Sequence, residues 1–161
     1  MDDLKILHID RNVVSSLILH LEELYGEMNG SRGDRHDYLR MWLDFSKKGE
    51  VQVSMEDYLP GVIDDFPEEI RKSAATPAAP CRFQTRDKDD PKRVRLDKFR
   101  AQAFHHAVAQ LLFGSVRCRK DTQTDVAFLT TRVRDPDEDD WKKLKRLLQY
   151  IQGTIRLPLV L

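Results

Sequence analysis

The sequence has no long apolar run and no excess of either charge. Its 161 residues contain nothing close to the ~20 consecutive apolar residues that a membrane-spanning helix needs. The first residues, from Met1 to Lys5, lack the basic and then apolar blocks of a secretory signal. The sequence therefore predicts a cytoplasmic or nuclear protein that is neither secreted nor held in a membrane.

Cysteine is scarce, and the motifs that mark several enzyme classes are absent. Cys81 and Cys118 have neither metal-type spacing nor a partner pattern, which predicts two reduced thiols. The sequence contains no Gly-rich phosphate loop and no nucleophile elbow. His105 and His106 are adjacent on a predicted helix, so their side chains point about 100° apart and do not suit one shared metal ion.

Basic and acidic residues balance, with 27 of each. A protein that binds nucleic acid by charge alone usually has a basic excess. Here the excess is local: between Arg82 and Arg100, eight basic residues accompany four aspartates. This stretch could follow a phosphate backbone, or it could be a solvated linker.

The hydrophobic pattern before residue 73 predicts a strand, a helix and a β-hairpin. Residues 4–9 alternate as a short strand does, and a helix is expected from a cap at Asn12 to a stop at Gly26. Residues 29–37 read as a loop. Alternation over residues 39–45 and 51–55, around a turn at residues 47–49, then predicts the hairpin.

A further helix is expected after the hairpin, from a cap at Ser54 to Phe66. Pro60 would fall well past the first turn of that helix, where proline removes a backbone donor and forces a kink.

The second half of the chain predicts a linker and then three helices. Residues 73–95, with several prolines, form the linker. Apolar stripes then predict one helix interrupted at Gly114, one over residues 121–133, and one from Asp137 to Gly153. A final strand is expected over residues 155–161, weakened by its proline. Together the patterns predict a mixed α+β chain with units at residues 1–72, 73–95 and 96–161.

Several segments along the chain resemble reverse transcriptases of copia-type retrotransposons, and three of them carry most of the argument. Met1-Asp2-Asp3-Leu4-Lys5-Ile6 resembles the end of the Tyr-x-Asp-Asp motif, without its tyrosine. The segment from His36 to Ser46 is similar to the hairpin that grips the primer. The segment from Asp140 to Thr154 resembles the closing helix before the ribonuclease H domain, and it is the most specific of the three. The resemblance extends over essentially the whole chain.

The resemblance implies a fold and a function. Residues 1–72 would be a partial polymerase palm with the start of the thumb, and residues 96–161 a helical thumb and connection region preceding ribonuclease H. Asp2 and Asp3 would bind Mg²⁺ for two-metal phosphoryl transfer. The RNA/DNA template–primer would be contacted by residues of the hairpin and of the closing helix, namely Tyr38, Leu39, Arg40, Lys142, Lys143, Lys145 and Arg146.

The sequence departs from the family in several ways, among them Pro60-Gly61 in a helix that the family keeps regular. The family usually has glycine after Tyr-Leu in the hairpin, and here that residue is Arg40. The fingers, and the palm strand that carries the other catalytic aspartate, lie upstream in the family and have no counterpart here. The chain alone is therefore expected to be inactive. The alternatives are a non-catalytic helical module that binds nucleic acid or a protein partner, such as the missing palm and fingers, and an inert retroelement remnant.

Overall fold

The computed structural model describes residues 4–80 and 83–161, which form a mixed α+β fold. Its elements in chain order are α1 (Arg11–Tyr25), β1 (Arg35–Tyr38), β2 (Met41–Asp44), β3 (Gln52–Ser54), α2 (Leu59–Asp64), α3 (Lys98–Arg117), α4 (Gln123–Thr130), α5 (Glu138–Gly153) and β4 (Leu159–Val160). A short 3₁₀ turn, Lys120–Thr122, links α3 to α4. The described residues thus contain five α-helices and one four-stranded antiparallel sheet, and the predicted α+β class is confirmed.

The sheet joins residues from both ends of the chain. Its strands lie in the order β1-β2-β3-β4, and β4 pairs with β3 so that Val53 faces Leu159. Two further hydrogen bonds of 2.9 Å connect the backbones of Val51 and Leu161. The strand predicted at the end of the chain is therefore present, although it is short.

One core lies between the sheet and the helices. Buried residues come from β3, from the turn between β3 and α2, from α2, and from α3, α4 and α5. They include Val53, Met55, Leu59, Val62, Phe104, Val108, Leu111, Val126, Leu129, Trp141, Leu144, Leu147, Leu148 and Ile151. Each large apolar side chain removed from water in this way contributes about 1.5–3 kcal/mol. The apolar stripe predicted for α5 is confirmed in full, because its five members are all buried: Trp141, Leu144, Leu147, Leu148 and Ile151.

The beginning of the chain differs from expectation. Residues 4–9 are irregular rather than a strand, and Leu7 and Ile9 are 70% and 101% exposed. A strand needs a neighbour for its backbone groups, and these residues pair with none of the described strands. The cap of α1 is Asp10, whose carboxylate accepts the Asn12 N–H at 2.9 Å. The predicted stop at Gly26 is correct.

The hairpin region contains one more strand than the sequence pattern predicts. The turn at residues 47–49 does connect β2 to β3. However, Leu39 and Arg40 form a two-residue turn between β1 and β2, with φ of 52° and 66°. The expected loop, residues 29–37, thus contains most of β1. Alternation missed the turn because Leu39 lies in phase with the apolar positions of β2.

Pro60 and Gly114, which the sequence predicts to interrupt helices, have other roles in the structure. The helix α2 begins at Leu59, so Pro60 stands in its first turn, where the absent N–H would have had no helical partner. Gly114 lies inside α3 without interrupting it. A Cβ at Gly114 would lie 3.7 Å from Leu59 Cδ2, which shows how closely α2 packs on α3.

No helix in the described part of the chain is both long and apolar enough to cross a membrane.

Candidate nucleic-acid interface on helix α5

The start of α5 is fixed by a reciprocal pair of aspartates. The Asp137 carboxylate accepts the backbone N–H groups of Asp139 and Asp140, each at 3.0 Å. The Asp140 carboxylate accepts the Asp137 N–H at 3.2 Å. This capping box satisfies N–H groups that have no partner within the helix. Because the capping box fixes the first residue of α5, it also fixes which residues of α5 lie on the same face of the helix.

Two arginines from outside α5 hold this capping box. Arg93 donates from Nε to Asp137 at 3.1 Å and from Nη1 to Asp135 at 3.0 Å. Arg132 Nε donates to Asp140 at 3.0 Å. Arg93 has only 4% of its side chain exposed, so this part of the predicted linker is packed against the fold.

The two carboxyl groups of the capping box have shifted pKa values of opposite sign. Burial alone raises the pKa of Asp137, but hydrogen bonds from the Asp140 N–H and from Arg93 outweigh it, and the net pKa is lowered. Burial raises the pKa of Asp140, and the hydrogen bond from Arg132 does not fully offset it. Asp140 Oδ1 is also buried without a hydrogen-bond donor in the described residues.

Three of the four basic residues predicted on α5 line one cavity of about 490 Å³. They are Lys142, Lys143 and Arg146. The opposite walls are Phe128 of α4 and parts of the predicted linker, namely Pro77, Ala78, Ala79, Gln84 and Arg86. We call this space the α5 cavity. Because it brings together three of the four predicted basic residues, this cavity is the candidate binding site on α5.

Only some of the hydrogen-bond donors of the Arg146 guanidinium group have an acceptor in the described part of the structure. Its Nη2 donates to the Thr76 hydroxyl at 3.0 Å. Its Nε is buried and has no acceptor among the described residues. Buried guanidinium N–H groups normally have a partner, so Nε is an unsatisfied buried donor of Arg146.

The other cations of the cavity are already in contact with carboxylates. Asp139 accepts a hydrogen bond from Arg86 Nε at 2.6 Å and lies 3.5 Å from Lys142 Nζ. The Arg86–Asp139 hydrogen bond is the largest of the effects that raise the pKa of Arg86. Lys143 Nζ lies 3.8 Å from Asp140, donates to the Gln84 carbonyl, and stands 5.0 Å from the centre of the Phe128 ring.

Lys145 points elsewhere. Its Nζ donates to Glu68 at 2.6 Å, and the indole N–H of Trp141 donates to the other oxygen of the same carboxylate at 2.8 Å. The hydrogen bond from Lys145 is the largest effect that lowers the pKa of Glu68. The structure therefore separates Lys145 from the other three basic residues predicted on this helix.

The remaining predicted site residues lie at the hairpin or outside the described residues. Tyr38 ends β1 and is half-buried, whereas Leu39 and Arg40 form the exposed turn. None of the three lines the α5 cavity. Asp2 and Asp3, the predicted Mg²⁺ ligands, lie outside the described residues. Within residues 4–80 and 83–161, no group of three or more His, Cys, Asp or Glu side chains could hold a metal ion.

The sequence did not predict the residues that form the cavity wall opposite α5, among them Phe128 and Arg86. Phe128 belongs to the apolar pattern of α4, and nothing in that pattern indicates that its ring borders a cavity. Arg86 belongs to the basic stretch, but charge alone does not say that it contacts Asp139.

Comparison with protein-family models, with curated proteins and with solved structures finds no match to this chain. Fold and site together define a mixed α+β protein with a cation-lined cavity beside α5.

Proposed function

We propose that this chain is the palm, thumb and connection portion of a copia-type reverse transcriptase, an RNA-directed DNA polymerase. In that enzyme it would contact the RNA/DNA template–primer, next to a ribonuclease H domain. The observation that carries the proposal is the grouping of Lys142, Lys143 and Arg146 on one side of α5. These residues belong to the segment with the most specific resemblance to the family.

The chemistry of this surface suits a phosphate backbone. Lysine and arginine contacts to phosphates release bound counterions, and this supplies sequence-independent affinity. The chain as a whole is neutral, so such binding depends on where cations are grouped rather than on total charge. Lys142, Lys143 and Arg146 are grouped on one side of a single helix, α5.

The conformation of the β1–β2 hairpin supports the proposal independently. Arg40 has a φ of 66°, a backbone region that glycine adopts without steric cost and other residues seldom adopt. The resemblance places the usual glycine of the family at this residue. The backbone here is therefore the one that the family sequence favours, even though the side chain is different.

The exposed face of α1 also agrees with a chain that contacts further polymerase segments. None of its residues is buried, and Val13, Leu17 and Leu24 are 47%, 40% and 60% exposed. In the proposed enzyme, the fingers and the rest of the palm would cover this face. Asp2 and Asp3 would supply Mg²⁺ ligands in that enzyme, and catalysis would also require the palm aspartate that lies upstream in the family.

Binding of a fluorescent RNA–DNA hybrid, measured by anisotropy at several salt concentrations, tests the proposal. We expect the logarithm of the affinity to fall linearly with the logarithm of salt concentration. Each phosphate contact contributes about 0.9 to the magnitude of that slope. Changing Lys142, Lys143 and Arg146 to Gln removes up to three contacts and should therefore reduce the magnitude of the slope by roughly 2 to 3. Lys145→Gln is the matched control on the same helix, because Lys145 is engaged by Glu68.

Two results would contradict the proposal. One is an absence of salt-dependent binding to the hybrid. The other is a triple variant that binds with the same slope as the Lys145→Gln control. A primer-extension assay with Mg²⁺ should give no incorporation by this chain alone, and incorporation would show that it is a complete polymerase.

A further inference from the structure

We infer that residues 73–80 and 83–90, which we call the strap, close the basic side of α5 and must lift before a phosphate backbone can bind there. This regulation rests on the proposed function, because it concerns the same basic residues of α5. The strap makes up most of the predicted linker, and its residues form neither a helix nor a strand. With the strap in place, the chain is in an autoinhibited state.

The strap lies along α5 and passes over its basic side. Its residues contact those of α5 in reverse order along the chain: Ala74 with Gln149, Thr76 with Arg146, Gln84 with Lys143, and Arg86 with Asp139. The strap therefore runs antiparallel to the helix. Two of these contacts occupy cations of the candidate site directly, and the third cation, Lys142, shares Asp139 with Arg86.

The closed strap leaves little of the basic side open to a polynucleotide. Lys142 has 73% of its side chain exposed, whereas Lys143 has 17%. The Gln84 carbonyl accepts a hydrogen bond from Lys143, and the Thr76 hydroxyl accepts one from Arg146. A phosphate backbone is a continuous chain, and the strap bounds the α5 cavity on the side away from the helix. Of the three grouped cations, only Lys142 can therefore meet a phosphate backbone while the strap is closed.

The strap is weakly held between two firmly packed residues. Ile70 before it is 5% exposed, and the side chain of Arg93 after it is 4% exposed. None of the strap residues is buried, and the ring of Phe83, which meets Phe128 edge to face, belongs to a residue that is 54% exposed. Segments with few buried apolar contacts open at low free energy. The strap can therefore lift while Ile70 and Arg93 stay in place.

Arg146 disfavours the closed state and favours the open one. Its Nε is buried and has no acceptor in the described part of the chain, and an unsatisfied buried donor is unfavourable. When the strap lifts, Thr76 leaves the guanidinium, which can then bind a phosphate through two parallel hydrogen bonds. The phosphate backbone thus binds the open state better than the closed one, which is the condition for shifting the population toward it.

The first test is binding of the RNA–DNA hybrid by Arg86→Gln, measured by anisotropy at physiological salt. Electrostatics alone predicts weaker binding, because a cation is lost and Asp139 loses a partner. The strap predicts the opposite. Loss of this partly exposed ion pair should raise the open fraction, and hence the affinity, roughly two- to fivefold. Arg95→Gln is the matched control, because Arg95 pairs with Asp135 instead of α5; its affinity should be unchanged or slightly lower.

Thr76→Val tests the strap without a change of charge. The substitution removes the acceptor of Arg146 Nη2 and leaves every cation of α5 in place. We expect it to tighten hybrid binding by a similar factor, roughly two- to fivefold. Because Thr76 is exposed, the variant should fold as the unchanged chain does.

Hydrogen exchange gives a readout that does not depend on affinity. Amides of residues 83–90 should exchange faster in the full chain saturated with the hybrid than in the free chain, because binding holds the strap open. Amides of α5 should be unaffected or better protected. A ligand that simply bound over the closed strap would slow exchange in both segments.

The outcomes separate failure of the inference from failure of the proposed function. Tighter binding by Arg86→Gln and by Thr76→Val, with faster exchange of the strap in the complex, supports the inference. Salt-dependent binding that Arg86→Gln tightens no more than Arg95→Gln does, or strap exchange that is unchanged or slower in the complex, overturns the inference and leaves the proposed function in place. If neither the unchanged chain nor Arg86→Gln binds the hybrid, both are wrong.

Discussion

Arg119 joins the end of α3 to the end of α5 through Thr154. Its Nη2 donates to the Thr154 hydroxyl at 2.7 Å, and its Nη1 donates to the Thr154 carbonyl at 3.1 Å. Asp121 accepts the remaining contacts, from Nε at 3.0 Å and from Nη2 at 2.7 Å. Arg119 is 1% exposed. The guanidinium is therefore a buried ion whose cost of desolvation is offset by four hydrogen bonds.

Arg119→Lys should lower the free energy of unfolding by about 3 kcal/mol. Lysine cannot reproduce the forked contacts of the guanidinium. The Thr154 carbonyl would lose its donor from Arg119, and Asp121 would keep its hydrogen bond from the Tyr150 hydroxyl. Urea unfolding at neutral pH measures the change. Arg71→Lys is the control, because Arg71 forms an exposed pair with Glu69, and its loss should stay within about 1 kcal/mol. Equal effects of the two substitutions would refute the buried role of Arg119.

Arg40→Gly should stabilise the protein by about 0.5–1 kcal/mol. Arg40 has a φ of 66°, and a residue with a Cβ pays about 1–2 kcal/mol for this conformation, part of which the flexibility of unfolded glycine cancels. Lys48→Gly provides the comparison, since Lys48 lies in an exposed turn without a positive φ. It should be neutral or destabilising. A loss of stability in Arg40→Gly would show that the β1–β2 turn differs from the one described.

The capping box of α5 should make stability depend on pH. The lowered pKa of Asp137 means that its contribution is complete above the unfolded value of about 3.9, and is lost as pH falls through the lower folded pKa. The raised pKa of Asp140 has the opposite sign. Its contribution is complete below the unfolded value and is lost as pH rises through the folded pKa.

Asp137→Asn should therefore cost about 1–2 kcal/mol at pH 7, and less at pH 3. Asparagine caps a helix nearly as well as aspartate, so the loss comes mainly from the charged hydrogen bond with Arg93. Asp140→Asn should cost less at pH 7, because the charged form of Asp140 is already disfavoured. Denaturant unfolding of both variants at the two pH values is the measurement. If Asp140→Asn lost more unfolding free energy at pH 7 than Asp137→Asn, the signs assigned to the two pKa shifts would be wrong.

The amides of α1 should exchange with solvent far faster than those of α5. None of the α1 residues is buried, whereas α5 buries six. A helix of 15 residues with no buried side chain is marginal in water. Hydrogen exchange followed by mass spectrometry should show α1 opening locally and α5 opening only with global unfolding. Equal protection of the two helices would mean that α1 is packed.

The sequence alone determined α5 almost completely. Asp137 marks its start, the stripe from Trp141 to Ile151 marks its buried face, and Gly153 marks its end. These signals are local, since helix caps and helical periods involve residues only three or four apart. A Cβ at Gly153 would lie 2.8 Å from Ser73 Cβ, so the glycine also permits a close approach that no local pattern reveals.

The tertiary structure decided the sheet and the α5 cavity. Whether residues 4–9 or 159–160 become strands depends on a pairing partner far away in sequence, and only the second segment finds one, at β3. Lys142, Lys143, Lys145 and Arg146 are alike in sequence, but only Lys145 reaches Glu68, while the others meet residues of α4 and the predicted linker. Such contacts join residues that are distant along the chain, and folding, not local pattern, determines which of them meet.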